Sequence, residues 1–218
     1  MRFRRKQPER TDEQVISEFN RIYYDSMVYM DTPWLGVNAQ KCPMDLWTYQ
    51  EILFSKRPDL VIETGTYGGG SALFLASICD LIGNGRVISV DISPQSPLPE
   101  HPRISYMSGR SSTDKGVIEE VRRAADNSAR VMVILDSDHS RDHVIAELEL
   151  YSPLVTVGQY LVVEDTNING HPVLADFGPG PMEAVAAWLP TVRGWVHDTR
   201  PERFMVTFNP SGYLLRQA

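Results

Sequence analysis

LVIETGTYGGGSALF, residues 60–74, decides how the rest of the chain is read. It opens with an unbroken apolar run, Leu60, Val61 and Ile62, the pattern of a strand covered on both faces. Four glycines, Gly65, Gly68, Gly69 and Gly70, then separate that strand from an apolar helix. Glycine loops at a strand-to-helix turn usually cradle phosphate on backbone N–H groups. Here an acid, Glu63, stands just before the loop, and the loop carries no lysine. A nucleotide-hydrolase loop would end in Gly-Lys-Ser/Thr. Coulomb repulsion at this loop disfavours a polyphosphate and favours a ligand carrying positive charge.

The strand-and-helix alternation continues outward from this stretch. Apolar runs predict strands at 60–64, 86–92, 103–109, 130–136, 159–165, 194–198 and 203–209. Helical spacing predicts helices at 69–82, 113–126, 142–155 and 181–189. The expected fold is α/β, a doubly wound, mostly parallel seven-stranded sheet. The short polar link TRPE, residues 199–202, predicts a hairpin between the last two strands, so one late strand should run antiparallel. Ahead of the sheet, helices at 11–29 and 44–56 flank a loop with Pro33, Trp34 and Gly36. Residues 1–57 are thus expected to form an N-terminal helical extension and cap loop, and 58–218 the ligand-binding domain.

Composition narrows the function. The chain has 218 residues, 42% hydrophobic and 22% charged, which suits an ordinary soluble domain. The net charge of -7 argues against nucleic acid. The basic start MRFRRKQPER has no apolar core after it, so it reads as a solvated tail rather than a signal peptide. No apolar run is long enough to span a bilayer. Cys42 and Cys79 have no CxxC neighbour and read as reduced core thiols of a cytoplasmic protein.

In open sheets of this kind ligands bind beyond the carboxyl ends of the strands. S-adenosylmethionine suits the loop, because it carries a sulfonium and an ammonium and no phosphate. Asp91 ends the next strand, where a carboxylate can accept both ribose hydroxyls. The alternatives are a helix-capping Glu63 with a turn-forming Asp91, and a dinucleotide site. A second acidic group follows. Asp136, Ser137, Asp138 and His139 leave one strand, and Glu164 and Asp165 end the next. Such carboxylates repel unless a cation or protons compensate. All-oxygen donors point to a hard divalent ion, Mg²⁺ most simply, with Mn²⁺ or Ca²⁺ also fitting; the alternative is a solvated acidic rim. His139, three residues beyond Asp136, is placed to act as general base, with Asp138 as the alternative.

The segments PWLGVNAQKCPMDLWTYQEI, LVIETGTYGGGSALFLA, LDSDHSRDHVIAELELY, YLVVEDTNINGHP, DFGPGPMEAV and FMVTFNPSGYL resemble the cephalosporin hydroxylase/rhamnosyl O-methyltransferase family from about residue 30 onward. The resemblance implies a Rossmann-like S-adenosylmethionine methyltransferase, similar in layout to the metal-dependent catechol and macrolide-sugar O-methyltransferases. Carried over by position, it implies that Glu63, Gly65, Thr66, Tyr67, Gly68 and Ser71 border the methionine part of the cofactor. Asp91 would hold the ribose, Ser111 would lie near the adenine, and Asp136 would lie beside both cofactor and metal. Asp136, Glu164 and Asp165 would be the metal ligands. His139 takes the position of the catechol enzymes' catalytic lysine. The expected activity is Mg²⁺-dependent O-methylation of a sugar or natural-product diol in secondary metabolism such as antibiotic biosynthesis. A hydroxylase, or a non-catalytic scaffold for a partner enzyme, are the rival readings. The loops PWLGVNAQK, with Trp34 and Lys41, and 167–181, with His171, are expected to shape the acceptor pocket. A homo-oligomer is expected, with Phe19, Ile22, Tyr23 and Tyr24 of the first helix facing either a neighbour or their own domain.

Overall fold

The computed structural model describes residues 10–218. The basic tail expected at the chain start lies outside them except for Arg10. The first described helix, α1 (Asp12–Asp25), starts from a capping box in which the Thr11 hydroxyl accepts from the Gln14 amide. A one-turn 3₁₀ helix and a two-residue ladder of β1 (Pro33–Trp34) and β2 (Val37–Asn38) lead to α2 (Pro43–Lys56). That helix ends at Arg57 in the left-handed region, directly before Pro58.

The alternation then runs as predicted through β3 (Leu60–Thr64), α3 (Gly70–Ile82), β4 (Val87–Asp91), β5 (Ile104–Ser108), α4 (Lys115–Asp126), β6 (Val131–Leu135), α5 (Arg141–Tyr151), β7 (Tyr160–Val163) and α6 (Pro181–Trp188). Two short strands, β8 (Trp195–His197) and β9 (Tyr213–Arg216), close the chain. The seven long-range strands form one sheet in the order β5–β4–β3–β6–β7–β9–β8. All neighbours pair in parallel except β9, which runs antiparallel to both β7 and β8. The chain leaves β3 toward β4 and later returns to β6 on the other side, so the gap between β3 and β6 is the topological switch point.

One predicted strand is corrected. Residues 203–209 are irregular, and the closing strand is Tyr213–Arg216. The apolar alternation of 203–209 has another cause: Val206 and Phe208 pack with Cys42 against Tyr23, Tyr24 and Tyr29. Met205 sits at φ 68, which breaks an extended run. The buried Asp45 of α2 pins the segment by accepting from the Phe208 amide at 2.8 Å and the Tyr213 hydroxyl at 2.9 Å. As a result the last two strands are joined by residues 198–212 rather than by a tight turn.

Both faces of the sheet are covered. Val117, Ile118 and Val121 of α4, Leu148 of α5 and Trp188 of α6 pack on one face. Tyr49, Ile52 and Leu53 of α2 pack with Phe74 and Leu75 of α3 on the other. Each such apolar side chain contributes about 1.5–3 kcal/mol when fully buried. Cys42 and Cys79 are free and buried, as read from the sequence. No helix among the described residues is long and apolar enough to cross a membrane.

Candidate active site

The strand ends on either side of the switch point deliver the two halves of the site, β3 and β4 on one side and β6 and β7 on the other. From β3 the chain turns through Gly65, whose φ is 88. A Cβ there would stand 1.8 Å from the carbonyl oxygen of Asp136 and 2.6 Å from its carbon. Only glycine lets the two strand ends approach this closely. Gly70 does the same for the cap segment, since a Cβ there would meet the Asn38 carbonyl oxygen at 2.2 Å. The glycine run therefore serves backbone packing as much as ligand approach.

Above these strand ends lies a cavity of about 730 Å³. Gly65, Thr66, Tyr67, Gly68, Ser71, Asp91, Ser111 and Asp136 all line it. Tyr67 is held at φ 46, and its amide donates to Asp91 Oδ2 at 2.8 Å. The Ser93 amide donates to Asp91 Oδ1 at 2.7 Å, so the carboxylate is fixed with lone pairs to spare. Left-handed backbone in a tyrosine is strained and often accompanies a functional site.

Glu63 is placed differently. It is 1% exposed and does not reach the cavity wall. Its Oε2 accepts from Ser89 Oγ at 2.6 Å, and its Oε1 is buried with no hydrogen-bond partner. Burial pushes its carboxyl up to about 7, against the pull of Lys41.

The acidic half comes from the ends of β6 and β7. Asp136, His139 and Asp165 line the same cavity, and one ligand atom from each lies within 4.8 Å of the others. His139 Nε2 is 3.4 Å from Asp136 Oδ1 and 3.1 Å from Asp165 Oδ2. Burial would lower the imidazole pKa, but these two carboxylates hold it well above its usual value. Asp165 is also left-handed, at φ 52.

Glu164 was expected beside the other two acids as a metal ligand, and the structure gives it different partners. It is 3% exposed and absent from the cavity wall. Its Oε1 accepts from the Tyr49 hydroxyl at 2.7 Å, and its Oε2 from the Lys41 ammonium at 2.6 Å. Lys41 also donates to Asp136 Oδ2. Burial disfavours the ammonium, but Asp136, Glu164 and Glu63 outweigh it and raise its pKa well above the usual range. Burial alone would raise the Asp136 carboxyl; Lys41 and His139 bring it below the usual range. Burial and the charge of Asp136 raise Glu164, with Lys41 opposing.

The far end of the cavity is walled by Tyr24, Tyr29, Met30, Ile168, Leu174, Phe177 and Phe208. Tyr24 and Tyr29 stack at 5.0 Å between centroids and meet the Phe208 ring at 5.5 and 5.0 Å. Loop 167–181 thus contributes Ile168, Leu174 and Phe177 to the wall. His171 is not part of it and bonds Glu183 at 2.8 Å. Trp34 also points elsewhere, packing edge-on against Phe74 at 4.8 Å. Of the first helix, Tyr23 and Tyr24 pack on their own domain, while Phe19 and Ile22 are 49% and 60% exposed. Asp138 lines the cavity but spends Oδ1 on the Ser140 amide at 2.7 Å.

Sequence reasoning missed Ser112 and His143, which line the cavity near Ser111. His143 Nε2 lies 3.2 Å from Ser112 Oγ and 3.1 Å from Ser137 Oγ. The only signal was the second histidine of DSDHSRDH.

Comparison with known proteins places the chain in a family. The family model described as Rhamnosyl O-methyltransferase/CmcI matches residues 26–217. A rhamnosyl O-methyltransferase of Mycobacterium tuberculosis is 42% identical, covering 95% of this chain and 87% of its own length. One of Mycobacterium leprae is also 42% identical, covering 95% and 93%. Among solved structures, CmcI in an apo form superposes with a TM-score of 0.65 at 22% identity, covering 86% of this chain and 76% of CmcI. CmcI with Mg and SAM gives 0.67 at 21%, covering 86% and 77%. These two likenesses concern the fold. The family match and the mycobacterial relatives, which span nearly the whole chain, decide the identity: the chain belongs to the rhamnosyl O-methyltransferase/CmcI family.

Proposed function

We propose that this chain is a divalent-metal-dependent O-methyltransferase that takes its methyl group from S-adenosylmethionine and acts on a sugar hydroxyl. The observation that carries the reading is a single cavity that joins the glycine loop, the acidic cluster and an aromatic wall. The relatives' name, rhamnosyl O-methyltransferase, supports the sugar acceptor.

The residues present fit both absent groups. Asp91 faces the cavity with a fixed carboxylate beside the glycine loop, and Glu63 lies buried behind that loop. Asp136 and Asp165 offer oxygen donors to the cavity, and Lys41 already shows that Asp136 and Glu164 collect a cation. Asp136 and Asp165 would hold the metal, with Glu164 as the further oxygen donor behind them. When bound, the cofactor supplies an electrophilic methyl, and the ion makes an acceptor hydroxyl more acidic and orients it.

The chain's own residues supply the rest. The glycine loop and Asp91 fix one reactant, and the aromatic wall fixes the other, so the two meet in a set geometry. Such orientation is worth up to about 7–11 kcal/mol in ideal cases. His139 Nε2 is the proton acceptor. Asp136 and Asp165 hold its ring in place, and with an ion on those carboxylates its Nε2 would be free to take the acceptor's proton. Asp138 is less suited, since an amide already occupies one oxygen.

We extend the reading to a cytoplasmic, homo-oligomeric enzyme of natural-product tailoring, with Phe19 and Ile22 on the contact face. The test is titration of S-adenosylhomocysteine into the protein with Mg²⁺ and with EDTA, followed by methyl transfer to rhamnosides and other diols. Tight product binding and metal-dependent methylation are expected. Absence of product binding under both conditions overturns the reading.

A further inference from the structure

Lys41 occupies an unusual position for a lysine. It is 6% exposed, and its ammonium contacts two carboxylates carried on different strands. The backbone that delivers it is pinned: its amide donates to Thr32 Oγ1 at 3.1 Å, and the neighbouring Gln40 is left-handed at φ 51. Glu164 is locked from its other side by Tyr49. Lys41 and Glu164 thus form the floor behind the cluster, while Asp136, His139 and Asp165 face the cavity. Asp136 belongs to both layers, with Oδ2 on Lys41 and Oδ1 beside His139.

A divalent ion entering from the cavity meets Asp136 and Asp165 first. It gains Glu164 only where the ammonium now sits. Two cations on one carboxylate repel strongly when water is excluded. An aliphatic ammonium is a point charge on a flexible stem, so it can yield without breaking the fold. We propose that Lys41 is a resident internal cation that competes with the divalent metal for Asp136 and Glu164 and is exchanged for it. This rests on the metal-dependent reading above. Without metal, the lysine compensates Asp136 and the buried Glu164. With metal, its release would bear on the segment whose Asn38, Ala39 and Gln40 line the cavity and whose Asn38 packs on the glycine loop. Metal loading and the cap segment against the glycine loop are thereby coupled through Lys41.

The test uses the full chain, stripped of metal by a chelator, with Mn²⁺ as the probe. Mn²⁺ affinity is measured by calorimetry for wild type, Lys41→Met and Lys41→Arg. Removing the competitor should tighten binding in Lys41→Met by roughly 5- to 150-fold, the usual range of coupling between two binding events. Lys41→Arg, which keeps the charge, should stay near wild type. Independently, pulse acylation of wild type is read by mass spectrometry at Lys41 against Lys115, whose side chain is 92% exposed. Lys41 labelling should rise several-fold at saturating Mn²⁺ relative to that reference. Equal or weaker Mn²⁺ binding by Lys41→Met, with wild type binding normally, overturns the exchange and leaves the metal reading standing. No Mn²⁺ binding by any variant overturns both. If Lys41→Met fails to fold, the acylation contrast decides, and unchanged protection of Lys41 at saturating Mn²⁺ overturns the exchange.

Discussion

The two rims of the cavity are built on opposite plans. The glycine rim is one contiguous stretch, Gly65 to Ser71, plus Asp91 at the next strand end. Its work is done by backbone shape, and its strain is local, at Tyr67. The acidic rim is assembled from three distant places: the cap segment with Lys41, the end of β6 and the end of β7. Its work is done by charge, and each carboxylate there is defined by a partner far away in the chain. The contiguous rim meets its neighbours through backbone contacts, Gly65 on Asp136 and Gly70 on Asn38. An assembled rim fails when any one contributor moves.

The largest expected effect lies where the rims meet. Asp136→Ala should abolish methyl transfer while S-adenosylhomocysteine affinity, measured calorimetrically, stays close to wild type. Loss of both together would mean that the rims are not separable. His139→Gln comes next. It should lower kcat by about 100- to 10,000-fold, the scale of general acid–base catalysis, with little change in cofactor KM. Gly65→Ala attacks the contact that joins the rims. The added Cβ would collide with the Asp136 carbonyl at a left-handed position, so thermal unfolding should show a loss of about 1–3 kcal/mol, and product binding and turnover should fall together.

The smallest effect concerns the loop over the aromatic wall. Burial would raise the Glu183 carboxyl, but the Gly180 amide, His171 and Asn169 outweigh it and bring it from 4.5 to about 2. The folded value is depressed, so this stabilisation is present in full above pH 4.5 and is lost as pH falls through 2. Denaturant titrations of wild type and Glu183→Gln should differ most above pH 4.5 and converge near pH 2. A constant difference across that range would assign the contact to packing alone.

This contrast also explains what could be read in advance. The strand LVIET, the glycines and Asp91 are local signals, and the structure places them where their periodicity and spacing indicated. Seven strands with one antiparallel neighbour were likewise legible. The last strand was misplaced because Val206 and Phe208 alternate for a tertiary reason, packing on the cap aromatics rather than on a sheet. The partners of Glu164 were hidden because Lys41 and Tyr49 precede it by 123 and 115 residues, with no pattern linking them. Glu63 suggested a charged ligand, but it sits within β3 between β4 and β6, and its carboxylate is buried against Ser89.

The placement of α2 bears on how this chain can be engineered. The helix was grouped with an extension ending at residue 57, yet Tyr49 and Leu53 are core residues of the sheet and Lys41 precedes the helix directly. A truncation at that boundary would strip one face of the sheet and leave Asp136 and Glu164 without their cation. A chimera that borrows residues 26–56 from a relative to alter acceptor choice would exchange Lys41 and Tyr49 together with Tyr29 and Met30 of the cavity wall. Specificity and metal affinity would then be inherited as one module.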